Sequence, residues 1–258
     1  MKFLILGCGW VGEFFARQML AEGHEVFATT TQQQKYQRLM DGGIFAIRAD
    51  FDYAVSRDHF PTDVDFVLNS IPASRRIESN VLDARLTQIS ALLTSVSYKK
   101  HIFLSSVGIY PDQDGVFTEA YPVDLAQNLA VAENAMLCLP ETTVYRLGGL
   151  FGGNRIFAKY FENRICTIGR QTANFVHRDD VTALIRKGFL FPLKQKIYNI
   201  VTPEHPAKSE VVFASAAKYS FSLPAAFEDG QAFQKIVVGQ RIADDLNYTF
   251  LFKSPLEF

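Results

Sequence analysis

Lys2-Phe3-Leu4-Ile5-Leu6-Gly7-Cys8-Gly9-Trp10-Val11-Gly12-Glu13-Phe14-Phe15-Ala16 is the stretch on which the fold turns. Its first five residues form a short apolar run that reads as a buried strand. The residues from Glu13 to Leu20 carry helical periodicity, and Gly23 ends it. Between them lies G-x-G-x-x-G, which in the order strand, glycine loop, helix is the dinucleotide fingerprint. Gly7 allows the tight turn, Gly9 lets the backbone approach a pyrophosphate, and Gly12 lets the helix pack close to the strand. The helix N-terminus adds free N–H groups and partial positive charge. Gly7, Gly9, Trp10, Val11 and Gly12 are therefore candidate cofactor residues.

Further along, apolar runs at 24–29, 44–49, 64–68, 101–104 and 143–147 read as strands. Helical patterns at 80–96 and 124–139 lie between them. Alternation of this kind predicts an α/β fold, a Rossmann-like doubly wound parallel sheet with helices on both faces. Ligands of such sheets lie at the carboxyl ends of strands. That adds Thr30 and Thr31 after the second strand, Asp50 and Phe51 after the third, and Asn69 and Ser70 after the fourth. An acidic residue after the second strand would bond the ribose 2′-hydroxyl of NAD. Thr29-Thr30-Thr31-Gln32 stands there instead, with hydroxyls and no acid to repel a 2′-phosphate. The cofactor expected is NADP or NAD, with NADP favoured. Lys35 and Arg38 follow, and Arg38 reads as part of a solvated helix face.

Beyond residue 155 the pattern loosens. Asp179 or Asp180 can cap a helix reaching Leu190, and 197–201, 208–219, 234–238 and 240–246 read as strand, helix, strand and helix. The expected organisation is a nucleotide-binding domain at 1–155 and a small mixed substrate lobe at 156–258, interleaved with the last sheet elements.

Composition bounds the function. With 258 residues and 48% hydrophobic content, a sizeable core is expected. The net charge is −1 and no basic run occurs, which argues against a nucleic-acid or anionic-membrane partner. Cys8, Cys138 and Cys166 form no C-x-x-C pair, which suits a reducing cytoplasm. No stretch has the length of a membrane span, and the first residues lack a signal-peptide cleavage site. No cluster of His, Cys and Asp has metal-ligand spacing. Cys8 lies at a helix start that would lower a thiol pKa, yet reads as a small packing residue.

Five stretches together resemble the extended or atypical short-chain dehydrogenase/reductases of the NAD-dependent epimerase/dehydratase group. They are the Gly7 loop; Leu104-Ser105-Ser106-Val107-Gly108-Ile109-Tyr110; Arg146-Leu147-Gly148-Gly149-Leu150-Phe151-Gly152-Gly153-Asn154-Arg155; Phe175-Val176-His177-Arg178-Asp179-Asp180; and Ile197-Tyr198-Asn199-Ile200. They occur in family order. The chain is also similar to a bacterial subgroup of small members with a G-x-G-W-x-G loop. The resemblance implies a nicotinamide cofactor, a small sugar-like or other hydroxyl/carbonyl substrate, and a Ser/Thr–Tyr–Lys active site. It implies a homodimer paired through the helices at 80–96 and 124–139; by helical spacing Leu125, Leu129 and Met136 lie within one stripe, which faces either the partner or the sheet.

Ser106, four residues before Tyr110, matches the family's Ser/Thr. The family's Y-x-x-x-K is missing: aligned on Glu133, its positions hold Leu125 and Leu129, and residues 101–158 contain no lysine. Tyr110 and Tyr121 are the candidate replacement phenols. Two functions follow: an oxidoreductase or epimerase-like enzyme using Ser106, or a non-catalytic dinucleotide-binding regulatory or sensor protein.

Overall fold

The computed structural model describes residues 1–228, 230 and 232–257. In chain order the elements are β1 (Lys2–Leu6), α1 (Trp10–Ala21), β2 (Glu25–Thr30), α2 (Gln33–Asp41), β3 (Phe45–Arg48), β4 (Phe66–Asn69), α3 (Ser79–Ser95), β5 (Lys100–Ser106), β6 (Gly115–Phe117), α4 (Asn128–Leu137) and β7 (Thr142–Leu147). There follow β8 (Gly149–Phe151), β9 (Ile165–Cys166), β10 (Phe175–His177), α5 (Arg178–Leu190), β11 (Ile197–Ile200), α6 (Lys208–Tyr219), β12 (Ala226–Phe227), β13 (Lys235–Val237) and α7 (Gln240–Leu246).

The framework is a seven-stranded sheet in the order β11-β7-β5-β4-β1-β2-β3. Its β1–β2, β1–β4, β2–β3 and β4–β5 pairs are parallel. Parallel strands are covered on both faces, which is why β1 is apolar after Lys2 and β4 is apolar up to Asn69. The chain runs outward from β1 to β2 and β3, then returns to place β4 on the other side of β1. Strand order thus reverses between β1 and β4, and a crevice opens at their carboxyl ends.

Two compact units divide the chain. The first comprises Met1–Ile109, Val123–Tyr145 and Ile185–Ile197; the second comprises Tyr110–Pro122, Arg146–Leu184 and Tyr198–Phe258. A single boundary at 155 does not describe them. Residues 110–122 join the second unit because β6 pairs with β13. The end of α5 joins the first because Phe189 stacks on Phe66 at 4.8 Å and edges onto Phe3. The second unit is built from short parallel pairs, β8–β10, β9–β12 and β6–β13. Its core includes Phe151, Ala173, Phe175 and Val211.

Three expectations need correction. The helix expected at 124–139 spans only Asn128–Leu137. Asp124 accepts from the Ala126 N–H at 3.0 Å, which holds the preceding residues in a turn. Leu125 is therefore off the helix and 65% exposed, while Leu129 and Met136 are buried within the chain. No common stripe faces outward. Asp180 does not cap α5: it is buried and accepts from the Tyr248 hydroxyl (2.6 Å) and from the N–H groups of Leu251 (2.7 Å) and Phe252 (3.1 Å). His177 serves the helix start instead, accepting from the Asp179 N–H at 3.2 Å.

Candidate functional site

A cleft of about 700 Å³ opens in the first unit at the reversal between β1 and β4. Its floor is the loop after β1. Gly7 has φ +72°, and a Cβ there would lie 2.7 Å from the Ile71 Cγ1 and 3.0 Å from the Ile71 nitrogen. The loop is fixed from both neighbouring strands. The Gly7 N–H donates to the Thr29 Oγ1 at 2.8 Å, and the Ser70 hydroxyl donates to the Gly7 carbonyl at 2.5 Å. Gly12 sits where a Cβ would be 3.0 Å from the Ser70 Oγ and 3.1 Å from Ile5, so α1 packs closely on β1.

Gly9 differs from both. A Cβ added there would meet only the Gly7 carbonyl oxygen, at 3.7 Å, and Gly9 lines the cleft. Space that the fold does not need is left open at the start of α1. Gly9 is also the N-cap of that helix, and no side chain caps it. An uncapped helix start facing a cleft is a ready anion site.

Of the sequence-assigned cofactor residues, Gly7, Gly9, Thr30, Thr31, Asp50, Phe51 and Ser70 line the cleft. Trp10, Val11, Gly12 and Asn69 do not. Val11 and Gly12 turn into the α1–β1 contact. Asn69 is fully buried, and its side-chain carbonyl accepts from the Ile71 N–H at 3.1 Å, shaping the turn. Lys35 and Arg85 also line the cleft. Arg85 forks onto Asp52 at 2.6 and 2.8 Å and donates to the Pro72 carbonyl at 2.6 Å, clasping the turn after β3 to the turn after β4. Periodicity assigns Arg85 to a helix face, and only tertiary pairing brings it to the wall. Cys8 lines the cleft but is 3% exposed, and burial pushes its thiol up to about 12. It is an inert thiol at neutral pH.

The end of β5 presents two serines. Ser105 is buried and donates to the Glu133 Oε1 at 2.5 Å. The half-buried Ser106 accepts from the Gly108 N–H at 3.1 Å, which leaves its own proton to donate elsewhere. Leu129, at the family's lysine position, is buried close to Gly108. Asn128 donates to the carbonyls of Ser74 and Ile77, two cleft residues, and so ties the start of α4 to the wall.

In the second unit Tyr110 is fully buried. Its hydroxyl donates to the Asn199 Oδ1 and accepts from Arg146, both at 2.8 Å. Burial raises its pKa and outweighs the opposing effect of Arg146. Tyr121 is half-buried and edges onto Phe117 at 4.7 Å. Among the described residues no group of three or more His, Cys, Asp or Glu could hold a metal ion, and no helix is long and apolar enough to cross a membrane.

The model of the NAD dependent epimerase/dehydratase family matches residues 3–131, half of the chain. The chain is 28% identical to Protein YeeZ of Escherichia coli strain K12, over 99% of this chain and 97% of that one. Among solved structures it resembles a functionally unknown conserved protein from Silicibacter pomeroyi (TM-score 0.77, 20% identity, 99% and 95% of the two chains). It also resembles a UDP-glucuronic acid 4-epimerase from Bacillus cereus in complex with UDP-glucuronic acid and NAD (TM-score 0.79, 15% identity, 99% and 96%). At these identities the structural likeness is one of fold.

Proposed function

Because the chain belongs to the NAD-dependent epimerase/dehydratase family, we propose that its first-unit cleft binds a nicotinamide dinucleotide, NADP in preference to NAD, for redox chemistry on a small sugar-like or other hydroxyl/carbonyl substrate. One observation carries the reading: Gly9 leaves open space at an uncapped helix start, where the strand order reverses. The α1 N–H groups and helix dipole would hold the pyrophosphate. Thr30, Thr31 and Lys35 favour a 2′-phosphate, although the Bacillus cereus neighbour holds NAD. That neighbour's UDP-glucuronic acid supports a sugar-like substrate here. We further assign the chain to the small subgroup with a G-x-G-W-x-G loop, working in the reducing cytoplasm.

A bound nicotinamide supplies hydride transfer; the chain's own residues must orient the substrate and handle the proton. Ser106 is the hydroxyl with a proton to give, because Ser105 is committed to Glu133. It would donate to the substrate oxygen and polarise it. Proton exchange is the weak step. A free tyrosine has a pKa near 10, so about one part in a thousand is phenolate at pH 7. In the family a lysine beside the tyrosine lowers that pKa; here the position holds Leu129. Tyr110 is driven the other way by burial, so no phenol with a lowered pKa is at hand. Turnover should therefore be slow at neutral pH, rise toward alkaline pH and depend on Ser106.

Single-turnover oxidation of NADPH against carbonyl and nucleotide-sugar substrates tests this, for the wild type and Ser106→Ala. Fast turnover that is flat from pH 6 to 9 would refute it. The buried Leu129 favours the second reading, a dinucleotide-binding regulator without catalysis. Tight cofactor binding with no turnover on any substrate would support that one.

A further inference from the structure

The cleft wall after β2 holds an unusual charge arrangement. Lys35 lines the cleft from the first turn of α2, and its Nζ lies 3.1 Å from the Glu13 Oε2. Arg38 takes the same oxygen at 2.9 Å and the other at 3.2 Å. Arg17 donates to the Glu13 Oε1 at 3.0 and 3.3 Å. One carboxylate thus serves three cations, leaving two positive charges in excess. Arg48, at the end of β3, has a neutral partner in the Gln33 Oε1 at 2.8 Å. Asp41, the acid at the end of α2, is engaged by the Gln37 amide at 2.8 Å. Asp52, which lines the cleft, is taken by Arg85.

Glu13 stands in the first turn of α1, where the helix dipole favours an anion. Burial would raise its carboxyl, but the contacts with Arg17 and Lys35 outweigh that and hold it below the usual carboxylate range. It is charged at neutral pH. Of the three donors that hold it, Lys35 lines the cleft and is the one a dianionic phosphate at the cleft edge would meet first, with Arg38 sharing the same Glu13 oxygen. A carboxylate and a phosphate cannot both saturate Lys35.

We propose that Glu13 is the specificity-determining residue of this cleft, an internal carboxylate that occupies Lys35 and Arg38 and competes with a phosphomonoester on the adenosine ribose. The proposal rests on the NADP reading above. Its chemistry is ion exchange: the 2′-phosphate takes donors from Glu13, which keeps Arg17. A ribose with a free 2′-hydroxyl brings no anion to that point and gains nothing by the exchange. Glu13 therefore limits NADPH affinity while leaving NADH affinity alone, and it keeps the cation cluster from binding polyanions at large.

The test is titration of tryptophan fluorescence and of heat with NADPH, NADH, 2′,5′-ADP and 5′-ADP, on the full chain. Glu13→Gln should tighten NADPH and 2′,5′-ADP at least fivefold and change NADH and 5′-ADP less than twofold. Glu13→Met, neutral and of similar reach, should do the same, and serves if the Gln variant does not fold. Lys35→Met should weaken NADPH at least tenfold, spare NADH, and cancel the gain when combined with Glu13→Gln. If Lys35→Met weakens NADPH but the Glu13 variants weaken it or leave it unchanged, Glu13 merely positions the lysine; the proposal falls and the NADP reading stands. If Lys35→Met leaves both cofactors unchanged, both fall together.

Discussion

Replacing Gly7 by alanine should cost the fold, whereas the same change at Gly9 should not. Gly7 has φ +72°, and a non-glycine residue in that region costs about 1–2 kcal/mol. The new methyl would also lie 2.7 Å from the Ile71 Cγ1 and 3.0 Å from its backbone nitrogen. Overpacking of this kind costs about 1–3 kcal/mol. Loss of unfolded-chain freedom returns roughly 0.4–1 kcal/mol. The net expectation is about 3 kcal/mol of destabilisation, or roughly 6–12 °C in Tm for a chain of this size. At Gly9 φ is −81° and a Cβ meets one atom, at 3.7 Å, so Gly9→Ala should shift Tm by less than about 2 °C. Differential scanning calorimetry and urea unfolding, both without ligand, measure the pair. Equal stability of the two variants would refute the division between a glycine the backbone needs and a glycine the ligand needs.

Stability should fall in acid through His101. It is fully buried, its Nδ1 lies 2.9 Å from the Thr142 Oγ1, and burial pulls its pKa from 6.5 to about 3. The unfolded chain then binds the extra proton, so His101's contribution is complete above pH 6.5 and is lost as pH falls from there toward 3. Urea unfolding of the wild type and His101→Asn should give a shallower acid slope for the variant. Asp180→Ala removes three accepted hydrogen bonds in the second unit. It should cost about 2–4 kcal/mol and raise hydrogen exchange at Leu251 and Phe252.

The first unit was legible where its signals are local. Strand, glycine loop and helix at 2–21 need only neighbouring residues, and the alternation gives a parallel sheet, while the strand order comes from long-range pairing. The start of α4 was not legible, because Asp124 turns the chain and the Gln127 amide reaches the Ile109 carbonyl at 2.9 Å. Strands of two or three residues, such as β9 and β12, are too short to show a period. Burial of Cys8 removes the reactivity its helix start suggests. Lys35 is visible in the sequence, two residues into the helix that follows the second strand. The place of Arg85 in the wall is not, because its partner Asp52 lies 33 residues away in sequence.

The measurement that bears most directly on the central claim is calorimetric titration of the wild type and Gly9→Val with NADPH and NADH. A valine at Gly9 fills the space left for the pyrophosphate while touching little of the fold. The wild type should bind one NADPH per chain, at least tenfold tighter than NADH, a difference of about 1.4 kcal/mol. Gly9→Val should keep its Tm and lose saturable binding of both. Equal affinity of the wild type and Gly9→Val would contradict the account, and so would NADH bound tenfold tighter than NADPH.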